Sequence, residues 1–236
     1  MKKVAIMQPY IFPYIGYFQL IRAADLFVFY DDVNFIKQGW IARNRYLNNG
    51  QATYFIIPLQ GAGSFKKINQ INVDERKYRF WITKFLKSLT QNYSKAPYFS
   101  PAMDLIKEVL LSDQKAISQI SVSSVKKVAD YLGLQVEFKI SSEVYPATAD
   151  LGRMDRITKI CELNGSKTYI NAIGGTELYR KDEFKQRGID LYFLQTDKLT
   201  YEQFKKPFIP DLSVIDVLMF NSPEEVRKML DKYTFI

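Results

Sequence analysis

The chain of 236 residues lacks histidine entirely, contains one cysteine and has no long apolar run. Without histidine, Ser-His-Asp and Cys-His catalysis and His-ligated zinc sites are excluded. A general base must be Asp, Glu, Lys, Tyr or the substrate itself. The single Cys161 excludes an internal disulfide, and its place on the apolar side of a predicted helix favours a buried, inert thiol. No apolar run approaches the ~20 residues of a membrane span, so no membrane insertion is expected.

The N-terminus leads directly from two lysines into a short apolar segment and shows no signal-peptide pattern. A cytoplasmic protein is therefore expected. The formal net charge of +8 favours an anionic ligand such as a nucleotide, a nucleotide-sugar, phosphate or nucleic acid. Nucleic acid is not the expected partner, because most aromatic residues are spaced like core residues and the basic residues form no single stripe.

Strand-like and helix-like segments alternate at both ends of the chain, which predicts a parallel sheet. The expected fold is one α/β domain over 1–236: a Rossmann-like (HUP-like) parallel sheet with helices on both faces. A helix-rich insertion or annex at about 76–132 would add a further helical layer. The predicted strands are 3–7, 26–31, 53–58, 136–140, 168–171 and 189–194. The predicted helices are 16–24, 76–90, 101–111, 114–132, 150–163, 177–187 and one from Ser222, which begins a capping box.

Polar and aromatic side chains follow the first strand, at the edge where open α/β sheets bind ligands. Gln8 and Tyr10 come directly after it, and a Pro/Gly turn with Tyr14 and Gly16 then opens a helix. A helix N-terminus favours an anion, so these four residues are candidate ligand contacts. Tyr17 is a candidate catalytic group. A turn with packed tyrosines is the structural alternative.

The segment 13–18 resembles the HxGH turn of the HUP superfamily of nucleotidylyltransferases and pantothenate synthetases. Tyr14 and Tyr17 stand where that turn has histidines, and Gly16 keeps its place. The resemblance implies a HUP-like fold. It also implies that adenylyl transfer, if present, proceeds without the usual histidines.

Two acids, Asp31 and Asp32, end the second strand. They are candidate catalytic groups that could hold a ribose hydroxyl, a divalent ion or an amine; the alternative is a self-capping turn. The basic cluster Arg43, Asn44 and Arg45 is a candidate phosphate or carboxylate site, because arginine binds such groups through its planar fork. The alternative is a solvated charge run.

Further candidate ligand contacts lie in the second half of the chain. Arg153 and Arg156 are one turn apart on a predicted helix, and Arg156 is taken as a phosphate contact. Asn171, Gly174, Gly175 and Tyr179 form a strand–Gly-Gly–helix turn where a ligand could approach the backbone closely. Ser141 and Ser142 follow the fourth predicted strand and are a weaker signal.

The whole chain resembles the WbqC-like protein family. The residues that carry the resemblance are Gln8-Pro9-Tyr10, Pro13, Gly16-Tyr17-Phe18, Asp25, Asp31-Asp32, Trp40, Arg43-Asn44-Arg45, Tyr93, Arg156, Tyr169, Gly174-Gly175-Tyr179, Tyr201, Gln203, Leu212-Ser213 and Asp216. The first and last blocks of this set are the most specific. Met7 stands where many members have a histidine. The family is found among bacterial genes for O-antigen and other surface polysaccharides, which implies a cytosolic step on a nucleotide-linked sugar or an activated acyl donor.

The leading hypothesis is an enzyme of surface-glycan precursor synthesis that binds a nucleotide or nucleotide-sugar. It would transfer an acyl, aminoacyl or nucleotidyl group to an amino sugar. The alternative is a non-catalytic nucleotide-sugar binder or assembly partner. A nucleotide with magnesium is the candidate cofactor, no protein metal site is predicted, and a homo-oligomer is left open.

Overall fold

The computed structural model describes residues 2–204 and 207–236. Its main sheet has six strands in the order β5-β2-β1-β6-β7-β8. The first five of these run parallel, and β8 pairs antiparallel with β7. The strands of this sheet are β1 Lys3–Met7, β2 Leu26–Phe29, β5 Glu137–Ile140, β6 Thr168–Ala172, β7 Asp190–Thr196 and β8 Tyr233–Phe235; a separate hairpin contains β3 Arg43–Asn48 and β4 Gln51–Ile56. The expectation of a Rossmann-like α/β sheet is confirmed.

Side chains of the central strands alternate between two apolar cores, as the period of two in a strand requires. On β1, Val4 and Ile6 enter one core, whereas Ala5 enters the other. The smaller core contains the buried side chains of helices α6 Arg153–Leu163 and α7 Lys181–Gln186. The larger core contains those of α1 Ile15–Ala23. Helices therefore cover both faces of the sheet.

An additional helical layer continues the larger core. Its helices are α2 Glu75–Tyr93, α3 Phe99–Leu110, α4 Ile117–Tyr131, α8 Val214–Phe220 and α9 Pro223–Leu230; α5 Ser141–Val144 is a single turn after β5. Asp74 caps α2 by accepting a hydrogen bond from the Lys77 amide, and the predicted capping box of Ser222 and Glu225 opens α9. The division into one domain with an annex stays a prediction.

The hairpin of β3 and β4 differs from the sequence-based expectation. The predicted third strand at 53–58 corresponds to β4, but β4 pairs with β3 and not with the main sheet. The basic cluster at 43–45, for which the sequence predicted an anion site or a solvated charge run, is the start of β3. Asn49 and Gly50 both have positive φ (53° and 76°) and close the hairpin, as Asn-Gly does in two-residue turns.

Smaller differences concern the second half of the chain. The predicted helix at 177–187 is a short 3-10 helix, Ile173–Glu177, followed by the shorter α7. Helix α8 begins at Val214, and its N-cap is Ser213. Cys161 is buried as predicted, and burial raises the pKa of its thiol to about 12. Among the helices described, none is both long and apolar enough to span a membrane.

Candidate functional site

The strand order places a topological switch point between β1 and β6. From β1 the parallel strands extend to β2 and β5 on one side, and to β6 and β7 on the other. In such sheets the crevice at the carboxyl ends of the two central strands is the usual ligand site. Gln8, which follows β1, and Asn171, which lies in β6, are therefore placed at this edge.

A cleft of about 380 Å³ opens beside the segment that follows β1. Three separate parts of the chain form its wall: the turn into α1, the start of the hairpin and the loop before α8. Its lining residues are Tyr10, Pro13, Tyr14, Trp40, Asn44, Arg45 and Asp211. The cleft thus contains one cation, one carboxylate, one amide and three aromatic rings capable of hydrogen bonding.

Arg45 is the basic group of this cleft, and its guanidinium is only partly satisfied. Its Nη2 donates to the Asp211 carbonyl oxygen at 2.9 Å. Its Nε is buried and has no hydrogen-bond partner within the described part of the chain. The guanidinium therefore makes one hydrogen bond within the described part of the chain, and because Arg45 lines the cleft, its accessible N–H groups could engage an anionic ligand.

The turn between β1 and α1 is strained and firmly held. Phe12 is a buried non-glycine residue with φ of 39°, in a region that L-residues rarely adopt. Its carbonyl oxygen accepts from Asn44 Nδ2 at 2.8 Å and from Ser213 Oγ at 2.6 Å, and its amide donates to Ser124 Oγ at 3.0 Å. Such strain persists where the surroundings over-determine the backbone, which is common at functional sites.

Tyrosine hydroxyls line the inner part of the site. Tyr14 lies over Gly16 so closely that a Cβ on Gly16 would come within 2.5 Å of the Tyr14 ring. Burial, and secondarily the neighbouring Asp211, raises the pKa of Tyr14. Burial also raises the pKa of Tyr10 to about 12. Both hydroxyls are therefore protonated at neutral pH and can donate hydrogen bonds to a ligand.

Tyr17 has a structural role. It is buried, its hydroxyl donates to the Gln8 carbonyl oxygen at 2.9 Å, and burial raises its pKa well above the ordinary value. Gln8 also accepts a long hydrogen bond of 3.5 Å from the Tyr10 hydroxyl. Tyr17 therefore supports the backbone below the cleft and does not line it.

The acidic pair after β2 lies buried, and other side chains satisfy its oxygens. Asp31 accepts from the Ser142 amide at 3.0 Å and from the Ser142 hydroxyl at 2.7 Å. Ser141 donates to Asp31 at 3.1 Å and to Asp32 at 2.5 Å. The two serines noted after β5 are thus the partners of the acids at the end of β2.

Arg156 completes this acidic cluster. Its Nη2 pairs with Asp32 at 2.5 Å, its Nε donates to Thr148 Oγ1 at 3.1 Å, and its guanidinium lies 4.6 Å from the Tyr30 ring centre. Arg156 is buried. Its role as a phosphate contact stays a prediction, since the contacts present are all internal to the fold.

The Gly-Gly turn after β6 forms a third group. A Cβ on Gly175 would come within 2.7 Å of the Asn171 side-chain amide nitrogen, so a larger residue there would require the Asn171 side chain to move. Gly174 is exposed, and Tyr179 packs edge-on against Tyr169 and Phe184. The lining of the cleft beside Arg45 includes none of Asn171, Gly174, Gly175 and Tyr179.

The structure therefore distributes the predicted site residues over three places. Tyr10, Tyr14, Asn44 and Arg45 share the cleft, and Asp31, Asp32 and Arg156 share the buried cluster. The glycine turn does not line the cleft, and its Tyr179 lies near Tyr30, which packs on Arg156. Arg43 lies beside the cleft, with its guanidinium 5.4 Å from the Trp40 ring centre and 4.9 Å from the Tyr54 ring centre. Across the part of the chain that the structure describes, there is no group of three or more Cys, Asp or Glu side chains suited to a metal ion.

Sequence reasoning did not select Trp40 or Asp211 as site residues. Trp40 belonged to the family resemblance, and Asp211 is the only acid in the segment between Pro210 and Ser213. Asp211 has φ of 56°, a conformation that Asp tolerates better than most residues. The signal for Asp211 was a Pro-Asp pair, which on its own indicates only a turn.

A buried carboxylate anchors the segment that carries Asp211. Asp216 is fully buried and accepts from the hydroxyls of Tyr93 at 2.8 Å and Tyr201 at 2.5 Å, and from Gln203 Nε2 at 2.8 Å. Gln203 in turn bonds the backbone of Ile209 in both directions. This network ties the loop before α8 to α2 and α8. Tyr93, Tyr201, Gln203 and Asp216 thus form one hydrogen-bond network, although Tyr93 is far from the other three in the sequence.

We predict a pH-dependent contribution of Asp216 to stability. Burial raises its pKa above the ordinary value of 3.8, so the folded chain binds this proton more tightly than the unfolded chain. Its contribution to the free energy of unfolding should fall as the pH rises from the unfolded pKa through the folded pKa. Urea unfolding of the wild type and of Asp216→Asn over about pH 4 to 8 measures this. A stability difference that is constant over the range would contradict it.

The structure defines an α/β protein with a Rossmann-like sheet and a cleft beside the segment that follows β1. The chain belongs to the WbqC-like protein family, whose family model matches residues 8–228. The uncharacterized protein Rv1507c of Mycobacterium tuberculosis is 28% identical over 233 residues, which cover 98% of each chain. No solved structure matches the chain. The family match includes every residue that lines the cleft.

Proposed function

We propose that this protein binds a nucleotide or nucleotide-sugar in the cleft beside β1 and acts in the synthesis of bacterial surface-glycan precursors. The observation that carries the proposal is Arg45, whose guanidinium lines the cleft and makes one hydrogen bond within the described residues, to the Asp211 carbonyl oxygen. A phosphate oxygen in the cleft could accept a charge-assisted hydrogen bond from this guanidinium. The positive net charge of +8 would favour approach of an anion.

The remaining wall of the cleft suits the other parts of such a ligand. Its volume of about 380 Å³ lies within the usual range for small-molecule sites. Tyr10 and Tyr14 offer hydroxyl donors, and the exposed Asp211 offers a carboxylate that can accept from a sugar hydroxyl or an amine. A magnesium ion would arrive with the phosphates, with Asp211 as the available carboxylate.

The reaction that we propose is transfer of an acyl or aminoacyl group to an amino sugar, with nucleotidyl transfer as the variant. In acyl transfer, the amine nitrogen attacks the acyl carbonyl and a C–N bond forms. The bond to the activated leaving group breaks, and the amine proton passes to a base. With no histidine in the chain, Asp211 is the candidate base in the cleft. Positioning of the reactants would supply most of the rate.

The residues first considered catalytic take supporting roles in this proposal. Each carboxylate oxygen of Asp31 and Asp32 accepts at least one hydrogen bond from Ser141, Ser142 or Arg156. Tyr17 is hydrogen-bonded to the backbone. These groups would hold the carboxyl ends of β1, β2 and β5 in register below the ligand.

A second candidate function is that of a non-catalytic binder of nucleotide-sugars in a polysaccharide pathway. It is favoured because Asp31, Asp32 and Tyr17 are all engaged in internal hydrogen bonds. A binder needs the cleft but no base, so Asp211 would then serve only as a hydrogen-bond acceptor.

A turnover assay distinguishes the proposed transferase from the non-catalytic binder. The protein would be incubated with nucleotide-linked amino sugars and acyl-CoA, or with sugar phosphates and nucleoside triphosphates, and the products analysed by mass spectrometry. The enzyme hypothesis predicts a product that is lost in Asp211→Asn and retained in Asp197→Asn, an exposed acid outside the cleft. Binding without any product under all donor conditions would favour the second candidate.

A further inference from the structure

Trp40 lines the cleft, and its ring packs beside Tyr54 and Arg43. It is 39% exposed although it is one of the largest apolar side chains. Its ring centre lies 6.1 Å from that of Tyr54, which is itself 48% exposed. The Arg43 guanidinium packs against both rings, 5.4 Å and 4.9 Å from their centres. Arg43 thus acts here as a support for the two rings, which we call the aromatic platform.

The hairpin register places this platform next to Arg45. Tyr54 is directly opposite Arg45 in the antiparallel pair, and directly opposite residues share one face of a sheet. Arg43 Nε also donates to the Gly39 carbonyl oxygen at 3.1 Å, which fixes the backbone immediately before Trp40. Trp40 and Arg45 line the same cleft. An aromatic surface and a guanidinium that could bind a phosphate are therefore adjacent.

We propose that the aromatic platform is the nucleobase subsite: the base of the ligand stacks on Trp40, and its phosphates lie at Arg45. This assignment rests on the proposed function of the cleft and specifies the orientation of the ligand in it. A nucleobase offers a planar π-face, and stacking on an aromatic side chain is a major source of affinity for bases. The sugar or acceptor end of the ligand then points toward Tyr14 and Asp211.

The test measures the fluorescence of Trp40 itself. The chain has two tryptophans, and Trp81 packs in a stacked arrangement against Tyr78 and Phe85. In a Trp81→Phe background Trp40 is the single tryptophan. UDP, dTDP, CDP, ADP and GDP would be titrated and compared with pyrophosphate and ribose 5-phosphate, which have no base. At least one nucleoside diphosphate should quench Trp40 fluorescence saturably, whereas the two compounds without a base should not.

Variants of Trp40 complete the test. Trp40→Ala should weaken the nucleoside diphosphate by about tenfold or more and leave pyrophosphate affinity, measured by calorimetry, unchanged. Trp40→Phe should retain most of the affinity. Nucleotide binding that is unchanged in Trp40→Ala but lost in Arg45→Ala would overturn the base subsite and leave the proposed function intact. Absence of nucleotide binding in the parent protein would overturn both.

Discussion

Removing the Asp32 carboxylate should destabilise the protein severely. In Asp32→Ala the Arg156 guanidinium stays buried without its ion-pair partner; the side chains of this pair are only 3% and 6% exposed. An uncompensated buried charge typically costs about 3–5 kcal/mol. Urea unfolding should show this loss as a lower midpoint with an unchanged m value.

Two further variants test the cause of this loss. Asp182→Ala removes an exposed acid paired with Arg180 and should change the midpoint little, because surface pairs contribute little. The double variant of Asp32→Ala with Arg156→Met removes both charges and should be more stable than Asp32→Ala alone. A single variant as stable as the wild type would contradict the structural role given to this pair.

The second large effect is expected at Arg45. Arg45→Ala removes the guanidinium that lines the cleft and its hydrogen bond to the Asp211 carbonyl oxygen. Hydrogen bonds to charged groups contribute about 1.5–3 kcal/mol, so affinity for a nucleoside diphosphate should fall by roughly 10- to 150-fold. Isothermal titration calorimetry measures this change directly.

Arg22→Ala is the matched control for Arg45. Arg22 lies on α1, is exposed and pairs with Asp231. Its removal lowers the net charge by the same amount but leaves the cleft unaltered. Equal losses of affinity in the two variants would show that the ligand responds to overall charge and does not contact Arg45.

The sheet could be predicted from the sequence because the patterns that indicate its strands are local. The apolar runs of β1 and β2 and the glycines that follow several helices are read within about ten residues of sequence, and they led to the α/β assignment. The predicted strand 26–31 is shorter in the structure and ends at Phe29, so Asp31 and Asp32 follow β2. The signal for the β3–β4 hairpin was also local, Asn49-Gly50 between two extended segments, but the charges of Arg43 and Arg45 obscured the alternation of β3.

The contacts within the site could not be predicted from local patterns. Arg45 bonds Asp211 across 166 positions, and Ser141 bonds Asp31 across 110. Nothing in either segment specifies its partner, because only the tertiary packing brings them together. The same holds for Arg43, whose charge suggested a phosphate site and whose position beside Trp40 and Tyr54 is set by the hairpin register.

The central claim is that the cleft beside β1 binds a nucleotide-linked ligand. A thermal-shift screen of the wild-type protein against nucleotides, nucleotide-sugars, acyl-CoA and amino acids, with and without magnesium, tests it most directly. A ligand that binds only the folded state raises the melting temperature with its concentration. We expect such a rise with one class of nucleotide or nucleotide-sugar, and a smaller rise in Arg45→Ala at the same ligand concentration. No rise with any nucleotide or nucleotide-sugar would contradict the claim.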